Sequence, residues 1–229
     1  MVEGTALEKR QGRKFLEGSN PSLSANSMSF YSKYIFPKII DSGMRPTDFN
    51  ETRSAIANQA SGVVLEIGFG SGYNLPFYKN TTKVYALEPS RELFDLAKDR
   101  VAKATFPVEY LQNSAEKIPL ADNSIDTVIS TWTLCSIPHV EEALREVYRV
   151  LKPKGRFVFV DHGRSPKHII AVAQSLLTPL SRLLRGDCRL DRDIETLIAQ
   201  AGFTFDKIDK AQEEGRPIMF SYRGVAVKK

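Results

Sequence analysis

The residues between positions 66 and 88 have the types and spacing needed to bind a nucleoside. Gly68, Gly70 and Gly72 follow an apolar run, and a second apolar run ends in Glu88, 22 residues after Glu66. Glycines let the backbone approach a ligand, and the N-terminus of a following helix would offer free N–H groups. A carboxylate at the tip of the second strand can accept both hydroxyls of a ribose. Glycines that serve only a tight turn would not explain Glu88, so the order predicts a nucleoside ligand.

The elements around these residues alternate between strand and helix. Strands are predicted at 63–67 and 83–88, with room for one helix between them. Further on, a helix at 140–150, a turn at 152–155 and a strand at 156–162 are predicted. A helix at 194–201 ended by Gly202, and strands at 203–209 and 219–227, complete the pattern. Such alternation predicts an α/β fold.

Two helices are predicted before the first strand. Aromatic and aliphatic residues recur at helical spacing over 30–40, with Pro37 bending the segment, and a polar helix follows over 50–59, capped near Thr47 or Asp48. The first helix could pack in the core, cover a ligand as a lid, or contact a membrane surface. These three interpretations stay open.

The glycine spacing distinguishes between nucleoside ligands. A dinucleotide motif reads GxGxxG, whereas this chain reads GxGxG, with Tyr73 after Gly72. The spacing therefore weakens the prediction of a dinucleotide.

With an acid before the glycines, the chain resembles the class I S-adenosylmethionine-dependent methyltransferases, whose first motif here runs from Glu66 to Gly72. The loop at 111–120 and the Leu-Lys-Pro-x-Gly turn at 151–155 are similar to later family segments, and residues 122–130 resemble the family's fourth strand. The segments 74–78, 131–137, 161–163 and 186–193 narrow the resemblance to a bacterial branch related to alkyl-thiol methyltransferases. Ubiquinone/menaquinone and phospholipid N-methyltransferases are more distantly similar.

The resemblance implies a Rossmann-like seven-stranded sheet, mostly parallel, with helices on both faces and the seventh strand antiparallel between strands five and six. It also implies S-adenosyl-L-methionine as the cofactor. The implied cofactor-binding residues are Glu66, Gly68, Gly70, Gly72, Asn74, Glu88, Pro89, Ser114, Ala115, Glu116 and Thr131. The family often has Asp where Ser114 stands, to accept from the adenine amino group; the Ser114 hydroxyl can also accept a hydrogen bond.

Asp161 and His162, at the carboxyl end of the fifth strand, are the predicted catalytic residues, because an amine, thiol or enol acceptor must lose a proton. A structural or cofactor-lining role for His162 and a loop-fixing role for Asp161 are the alternatives. No metal site is predicted. The polar segment from Asp187 to Asp193 contains Cys188 but no second Cys and no His, so helix capping and salt bridges explain it better.

The segment between strand five and the last helix indicates the acceptor. An amphipathic helix over 166–184 carries seven large aliphatic residues, with basic Lys167, Arg182 and Arg185 near its ends. In the resembled fold, insertions at 166–185 and the helices within 28–60 build the acceptor pocket. A small hydrophobic acceptor, whether a thiol, an amine or phospholipid, or a quinol, would suit this roof, and core burial is the alternative. A non-catalytic nucleoside-binding module or an NAD-dependent enzyme is the competing functional class.

Composition limits the remaining classes of protein and of binding partner. The chain has 229 residues, 42% apolar and 26% charged, which excludes disorder, collagen and coiled coil. The net charge of +5 is spread along the chain, so no nucleic-acid partner is predicted. No apolar run is long enough to span a bilayer, and two lone cysteines without an export signal predict a cytoplasmic protein. Peripheral membrane contact and the oligomeric state stay open.

Residues 1–27 differ from the rest of the chain. They are rich in Gly, Ser, Asn and charge, and residues 18–21 (Gly-Ser-Asn-Pro) can be back-translated into a sequence similar to the T-arm of transfer-RNA genes. We therefore predict a disordered extension whose start is mis-assigned, with Met28 as the native start of a single domain over 28–229. An ordinary disordered N-terminus is the alternative.

Overall fold

The structure is a computed structural model that describes residues 36–44, 48–184, 187–213 and 215–229. Its strands are β1 (Ser61–Ile67), β2 (Asn80–Leu87), β3 (Val108–Leu111), β4 (Ile125–Thr131), β5 (Leu151–His162), β6 (Thr204–Gln212) and β7 (Phe220–Val227). Its helices are α1 (Phe36–Met44), α2 (Asp48–Ala57), α3 (Arg91–Asp95), α4 (Lys98–Ala102), α5 (Val140–Val150), α6 (His168–Leu184) and α7 (Ile194–Gln200). The predictions for residues 1–27, and for 28–35, lie outside the described residues.

The strands form one seven-stranded sheet in the order β3-β2-β1-β4-β5-β7-β6. The pairs among β1 to β5 are parallel, while β7 pairs antiparallel with both β5 and β6. This confirms the predicted fold class, including the position of the seventh strand. Because β1, β2, β4 and β5 all run the same way, the ends of these strands meet at one carboxyl edge, where ligands bind in such sheets.

The core lies in two layers, one on each face of the sheet. Along β5, Phe157 and Phe159 join one buried cluster while Val158 and Val160 join the other, as the period of two requires. The first cluster contains residues of α5 and α7, and the second contains residues of α2. Helices therefore cover both faces, as predicted.

The segment between β1 and β2 differs from the prediction. No α-helix follows the glycine turn; a 3-10 turn at Leu75–Phe77 with Pro76 takes its place. The chain is already extended at Tyr78 (φ −72°, ψ 127°) and β2 begins at Asn80, so no room remains for a longer helix. The prediction of a helix N-terminus beside the glycines was therefore wrong.

Other boundaries also shift. Pro37 is the second residue of α1, since proline fits the first helical turn, and α1 continues to Met44 rather than ending at Ile40. The bend predicted at Pro37 involves residues 30–35, which lie outside the described residues. The second helix begins at Asp48, two residues before the predicted start. β5 begins at Leu151, and the predicted turn at 152–155 is a bulge within it, where Lys154 has φ +64°.

The face that α6 presents outward is apolar, contrary to the core-burial alternative. Ile169, Leu176 and Leu183 are 84%, 76% and 76% exposed. The side chains turned inward are small or polar, namely Ala171, Gln174, Thr178 and Ser181. Among the described residues, no helix is both long and apolar enough to cross a bilayer.

Candidate functional site

The glycine turn after β1 forms an open cradle. Gly68, Gly70 and Gly72 have φ values of +66°, +56° and +77°, a region that side chains with Cβ rarely adopt. A Cβ on Gly68 would lie 2.2 Å from the Thr133 hydroxyl, whereas a Cβ on Gly70 would meet nothing closer than 3.9 Å. Gly68 is therefore needed for packing against the loop after β4, and Gly70 leaves space in which a ligand can approach the backbone.

Glu88 connects the glycine turn to the end of β2. One carboxylate oxygen accepts the Gly70 N–H at 2.9 Å and the other accepts the Ser90 N–H at 2.9 Å, and Pro89 lies between these contacts. The side chain is buried; burial raises the pKa of Glu88, while the two N–H groups act in the opposite direction. Each oxygen retains a lone pair that can accept from a ligand hydroxyl.

Glu66 lies in a buried polar network with two residues of the following segment. Its carboxylate accepts from the Asn74 amide at 2.8 Å and from the Tyr78 hydroxyl at 2.6 Å. Asn74 also donates to the Thr131 hydroxyl at 3.1 Å, which brings three predicted site residues together. Burial raises the pKa of Glu66 to about 7, against the hydrogen bonds from Tyr78 and Asn74.

This raised pKa predicts an unusual dependence of stability on pH. Between about pH 4.5 and 7 the folded chain retains a Glu66 proton that the unfolded chain has lost, so the contribution of Glu66 to the free energy of unfolding falls as pH rises. We expect the Glu66→Gln variant, which does not titrate there, to gain about 3 kcal/mol relative to the unsubstituted chain between pH 5 and 8. Urea unfolding at intervals across this range measures the difference; parallel curves for the two proteins would contradict the prediction.

An unpaired acceptor marks where a ligand fits. The Asn74 side-chain oxygen is buried and has no hydrogen-bond partner. A buried acceptor without a partner costs about 1–3 kcal/mol, so a ligand donor such as an ammonium group would relieve this cost. The acidic and glycine residues around it fit the amino-acid and ribose parts of S-adenosylmethionine.

Arg53, on α2, is a site residue that the sequence analysis missed. Its side chain is fully buried, it donates to the Met44 carbonyl at 2.6 Å, and the guanidinium lies 5.0 Å from the Tyr73 ring centroid and 5.6 Å from that of Trp132. Burial lowers the pKa of Arg53, while the charge of Glu66 acts in the opposite direction. Nothing distinguishes this arginine in the sequence, because its helix reads as polar.

The predicted adenine-side residues lie in a separate network. The Ser114 hydroxyl donates to the Glu116 carboxylate at 2.7 Å, and the other Glu116 oxygen accepts the His139 N–H at 2.8 Å. Ala115 between them is buried. These contacts order the loop after β3, and the adenine contact itself stays a prediction.

Asp161 is fully buried and holds the loop that follows β4. Its two oxygens accept the backbone N–H groups of Thr133, Leu134, Cys135 and His162 at 2.6–3.1 Å. The carboxylate is therefore occupied by four donors, which favours the loop-fixing alternative. A base role for Asp161 stays a prediction.

His162 lies between a cysteine and a carboxylate. Its Nδ1 is 3.9 Å from Cys188 Sγ and its Nε2 is 3.2 Å from a Glu213 oxygen. Burial by itself would lower the pKa of His162, but the contacts with Cys188 and Glu213 raise it to about 9. Burial would likewise raise the pKa of Glu213, yet hydrogen bonds from His162 and Ser221 hold it at about 2. The base role of His162 stays a prediction, and sequence analysis gave no signal for Glu213.

The polar segment before α7 has the capping and salt-bridging contacts predicted for it. Asp193 accepts the Thr196 N–H at 3.1 Å and so caps α7, and Asp187 pairs with Arg182 at 2.5 Å. Buried Arg192 donates to the carbonyls of Leu134 and Ile137. Asp161 and Arg192 therefore hold the loop after β4 from its N–H and carbonyl sides.

Comparisons with known proteins agree with this site. Residues 65–159 match a protein family described as a methyltransferase domain. Human thiol S-methyltransferase TMT1A is 31% identical over 171 residues, which cover 69% of each chain. A phosphatidylethanolamine N-methyltransferase of Cereibacter sphaeroides is 29% identical over 153 residues, covering 66% of this chain and 72% of that protein.

The fold has solved counterparts. The crystal structure of an S-adenosylmethionine-dependent methyltransferase from Aquifex aeolicus superposes with a TM-score of 0.61 at 20% identity, covering 84% of this chain and 98% of that one. The sequence matches span 65–72% of the lengths of the curated relatives. With the seven-stranded sheet, the glycine cradle and the paired acids, these findings do not support an NAD-dependent enzyme or a non-catalytic module. The chain therefore belongs to the S-adenosylmethionine-dependent methyltransferases and is an enzyme that uses S-adenosylmethionine as its cofactor.

Proposed function

We propose that the chain methylates a small hydrophobic acceptor that it takes from a lipid surface, and that this acceptor is a thiol. The observation that carries the lipid surface is the outward apolar face of α6. The choice of a thiol is supported by the relatives named thiol S-methyltransferases, at 31% identity. An aminophospholipid is the second candidate, because the same apolar face and the relative named phosphatidylethanolamine N-methyltransferase both favour a lipid acceptor.

The α6 face has the properties of a helix that lies on a membrane. Six large aliphatic side chains are more than a third exposed, namely Ile169, Val172, Leu176, Leu177, Leu180 and Leu183. The helix has no acidic residue, and exposed Lys167 and Arg182 lie at its two ends. At about 1.5 Å per residue, its 17 residues span about 26 Å, less than a bilayer core of about 30 Å. Such a helix lies in the interface with its basic ends toward anionic headgroups.

The residues of the site have separate tasks in this proposal. Glu88 accepts the ribose hydroxyls, and the Asn74 oxygen accepts from the amino-acid end of the cofactor. The buried charge of Arg53 complements the carboxylate of that end. The glycine cradle lets the backbone approach, Thr131 orients Asn74, and Ser114 with Ala115 and Glu116 borders the adenine.

When bound, the cofactor supplies a methyl group already activated by a sulfonium sulfur. The chain must then hold the acceptor in line and exclude water, and such positioning can supply several kcal/mol of the barrier reduction. The thiol sulfur would take that methyl group, the cofactor would leave as its neutral sulfide, and the thiol proton would pass to a base of the chain. Asp161 and His162, at the carboxyl end of β5, are the residues predicted for that role.

A panel of acceptors with methyl-labelled cofactor tests the proposal. We expect 1-octanethiol to be methylated at least about 10-fold faster than the water-miscible 2-mercaptoethanol at equal concentration, since a pocket discriminates by apolar contact. Transfer to phosphatidylethanolamine vesicles but not to the thiols would replace the thiol with the second candidate. Equal or faster transfer to 2-mercaptoethanol, or transfer to neither class, would overturn the proposal.

Charge on the outward face of α6 should abolish lipid binding. We expect the Leu176→Glu/Leu183→Glu variant to bind anionic phosphatidylglycerol vesicles at least about 10-fold more weakly in co-sedimentation, since each leucine loses up to about 1.5–3 kcal/mol of burial. Leu96→Glu, on a separate exposed leucine, is the matched control. Equal sedimentation of all three proteins would remove the lipid surface from the proposal.

A further inference from the structure

Two cysteines and a histidine that are far apart in the sequence meet below the carboxyl edge of the sheet. Cys135 follows β4, His162 ends β5, and Cys188 precedes α7. Their sulfur and nitrogen atoms all lie within 4.8 Å of one another. No metal site was predicted from the sequence because Cys188 has neither a second Cys nor a His near it along the chain, and the fold supplies both.

We infer that Cys135, His162 and Cys188 bind one Zn²⁺ ion as a three-ligand site, hereafter the Cys-His-Cys site. Two thiolates and an imidazole are the donor set that borderline and soft cations prefer over Mg²⁺ or Ca²⁺. Three protein ligands leave a fourth tetrahedral position for solvent or an exogenous ligand. This inference goes beyond methyl transfer and does not rest on the acceptor proposed above. Because the ion and Glu213 would engage both ring nitrogens, His162 would not act as a base in the zinc-bound protein.

The distances suit a metal of this size. Zn–S and Zn–N bonds of about 2.3 and 2.0–2.1 Å place tetrahedral ligands about 3.5–3.8 Å apart. Cys188 Sγ and His162 Nδ1 are 3.9 Å apart, and the largest separation among the three donors is within 4.8 Å. Side-chain rotations that move each donor atom by less than about 1 Å bring all three donors to bonding distance.

The histidine is held as a metal ligand is usually held. Its Nδ1 faces the sulfur, while its Nε2 lies 3.2 Å from the Glu213 carboxylate. Metal-binding histidines commonly donate the second ring N–H to a carboxylate, which fixes the tautomer and the ring orientation. A cysteine used only as a small apolar residue has no need of an imidazole oriented in this way.

The backbone fixes both sulfurs. Asp161 accepts the Cys135 N–H at 3.1 Å, and the Arg189 N–H donates to the Cys135 carbonyl at 2.9 Å, tying the two cysteine segments together. Cys135 and Cys188 are 1% and 4% exposed, with Leu190 and Met219 packed against them. These hydrogen bonds and packing contacts hold the two sulfurs in position for an ion.

Metal analysis of the full chain purified without chelator tests the inference. We expect one zinc per chain after gel filtration, and replacement by Co²⁺ should give a sulfur-to-cobalt charge-transfer band with tetrahedral d–d absorption. Cys188→Ser and His162→Asn should each bind Zn²⁺ at least about 10-fold more weakly in competition with a chromophoric chelator. His168→Asn, on an exposed histidine outside the site, should bind as the unsubstituted chain does.

The Glu213→Gln variant gives a second test of zinc binding that does not depend on whether the ligand variants fold correctly. Because Glu213 is not itself a ligand and reaches the Cys-His-Cys site through His162, we expect Zn²⁺ affinity to fall by about 10- to 100-fold with the cobalt spectrum retained at saturating metal. Zinc below 0.1 per chain in reduced protein, with no cobalt spectrum on addition of the metal, would overturn the inference. A Cys135–Cys188 disulfide in freshly purified protein, or Cys188→Ser binding zinc as tightly as the unsubstituted chain, would overturn it equally.

Discussion

The Glu88→Ala variant is expected to lose S-adenosylmethionine affinity by about 10- to 150-fold or more. The carboxylate is the proposed acceptor for ribose hydroxyls, and a hydrogen bond to a charged group contributes about 1.5–3 kcal/mol. The substitution also leaves the N–H groups of Gly70 and Ser90 without their partner, so the glycine turn loses the contact that fixes it to β2. Calorimetric titration with S-adenosylmethionine and S-adenosylhomocysteine measures the loss for both ligands.

Glu109→Ala serves as the control for this measurement. Glu109 lies on the neighbouring strand β3, is exposed, and pairs with Lys83 at 2.7 Å on the surface. Removing it changes the net charge equally but touches no residue of the site, so we expect cofactor affinity within about twofold of the unsubstituted chain. Unchanged affinity in Glu88→Ala would refute the placement of the ribose at this carboxylate, and an equal loss in both variants would assign the effect to net charge.

The sequence predicted the sheet because hydrophobic periodicity and turn residues act locally. β4 reads as a buried β-branched run, and α5 has the predicted bounds, Val140–Val150, with apolar residues at helical spacing. The order of the last strands came from family resemblance, since periodicity carries no information about which strand lies beside which. The helix expected after the glycines is a single 3-10 turn because the chain is extended at Tyr78 and β2 begins at Asn80, three residues before the predicted start.

The candidate site was predicted where its residues are close in sequence and missed where topology assembles them. Glu66, Asn74 and the glycines lie within nine residues, and Glu66 and Asn74 form one network with Thr131. The Cys-His-Cys site joins residues 26 or more positions apart. Cys135 and His162 meet because β4 and β5 are neighbours, and Glu213 lies beside His162 because β6 pairs with β7. No local pattern can predict such a meeting.

The outward face of α6 shows a second limit of periodicity. The amphipathic pattern predicted a helix over 166–184, and α6 spans His168–Leu184, but the pattern could not say which face meets the core. In the structure Gln174 turns inward, where its amide oxygen accepts the Ser165 N–H at 2.7 Å and its amide nitrogen donates to the Gly163 carbonyl at 3.0 Å. These buried polar contacts fix the inward face, so the leucines face out.

The Asp161→Asn variant is expected to destabilise the fold by about 3 kcal/mol or more and to loosen the loop after β4. The carboxylate accepts from four backbone N–H groups, two at each oxygen. In Asn an amide nitrogen replaces one oxygen, so this donor would face two backbone donors. Buried donors left unpaired cost about 1–3 kcal/mol each, and breaking a buried charged contact costs about 3–5 kcal/mol. Urea unfolding measures the loss, and hydrogen exchange of the Thr133, Leu134 and Cys135 amides reports on the loop itself.

The Asp126→Asn variant is the control that separates the effect of losing this buried network from the effect of losing a carboxylate in general. Asp126 is one-third exposed, accepts the Val63 N–H at 2.8 Å and pairs with Lys152, so its change should cost about 1 kcal/mol or less. If Asp161→Asn instead keeps the stability and amide protection of the unsubstituted chain while methyl transfer stops, the carboxylate is not needed to hold the loop, and the base role predicted for it gains support. Destabilisation together with faster exchange at residues 133–135 identifies Asp161 as a positioning residue, because the loop it holds carries Cys135 and follows Thr131, which contacts Asn74.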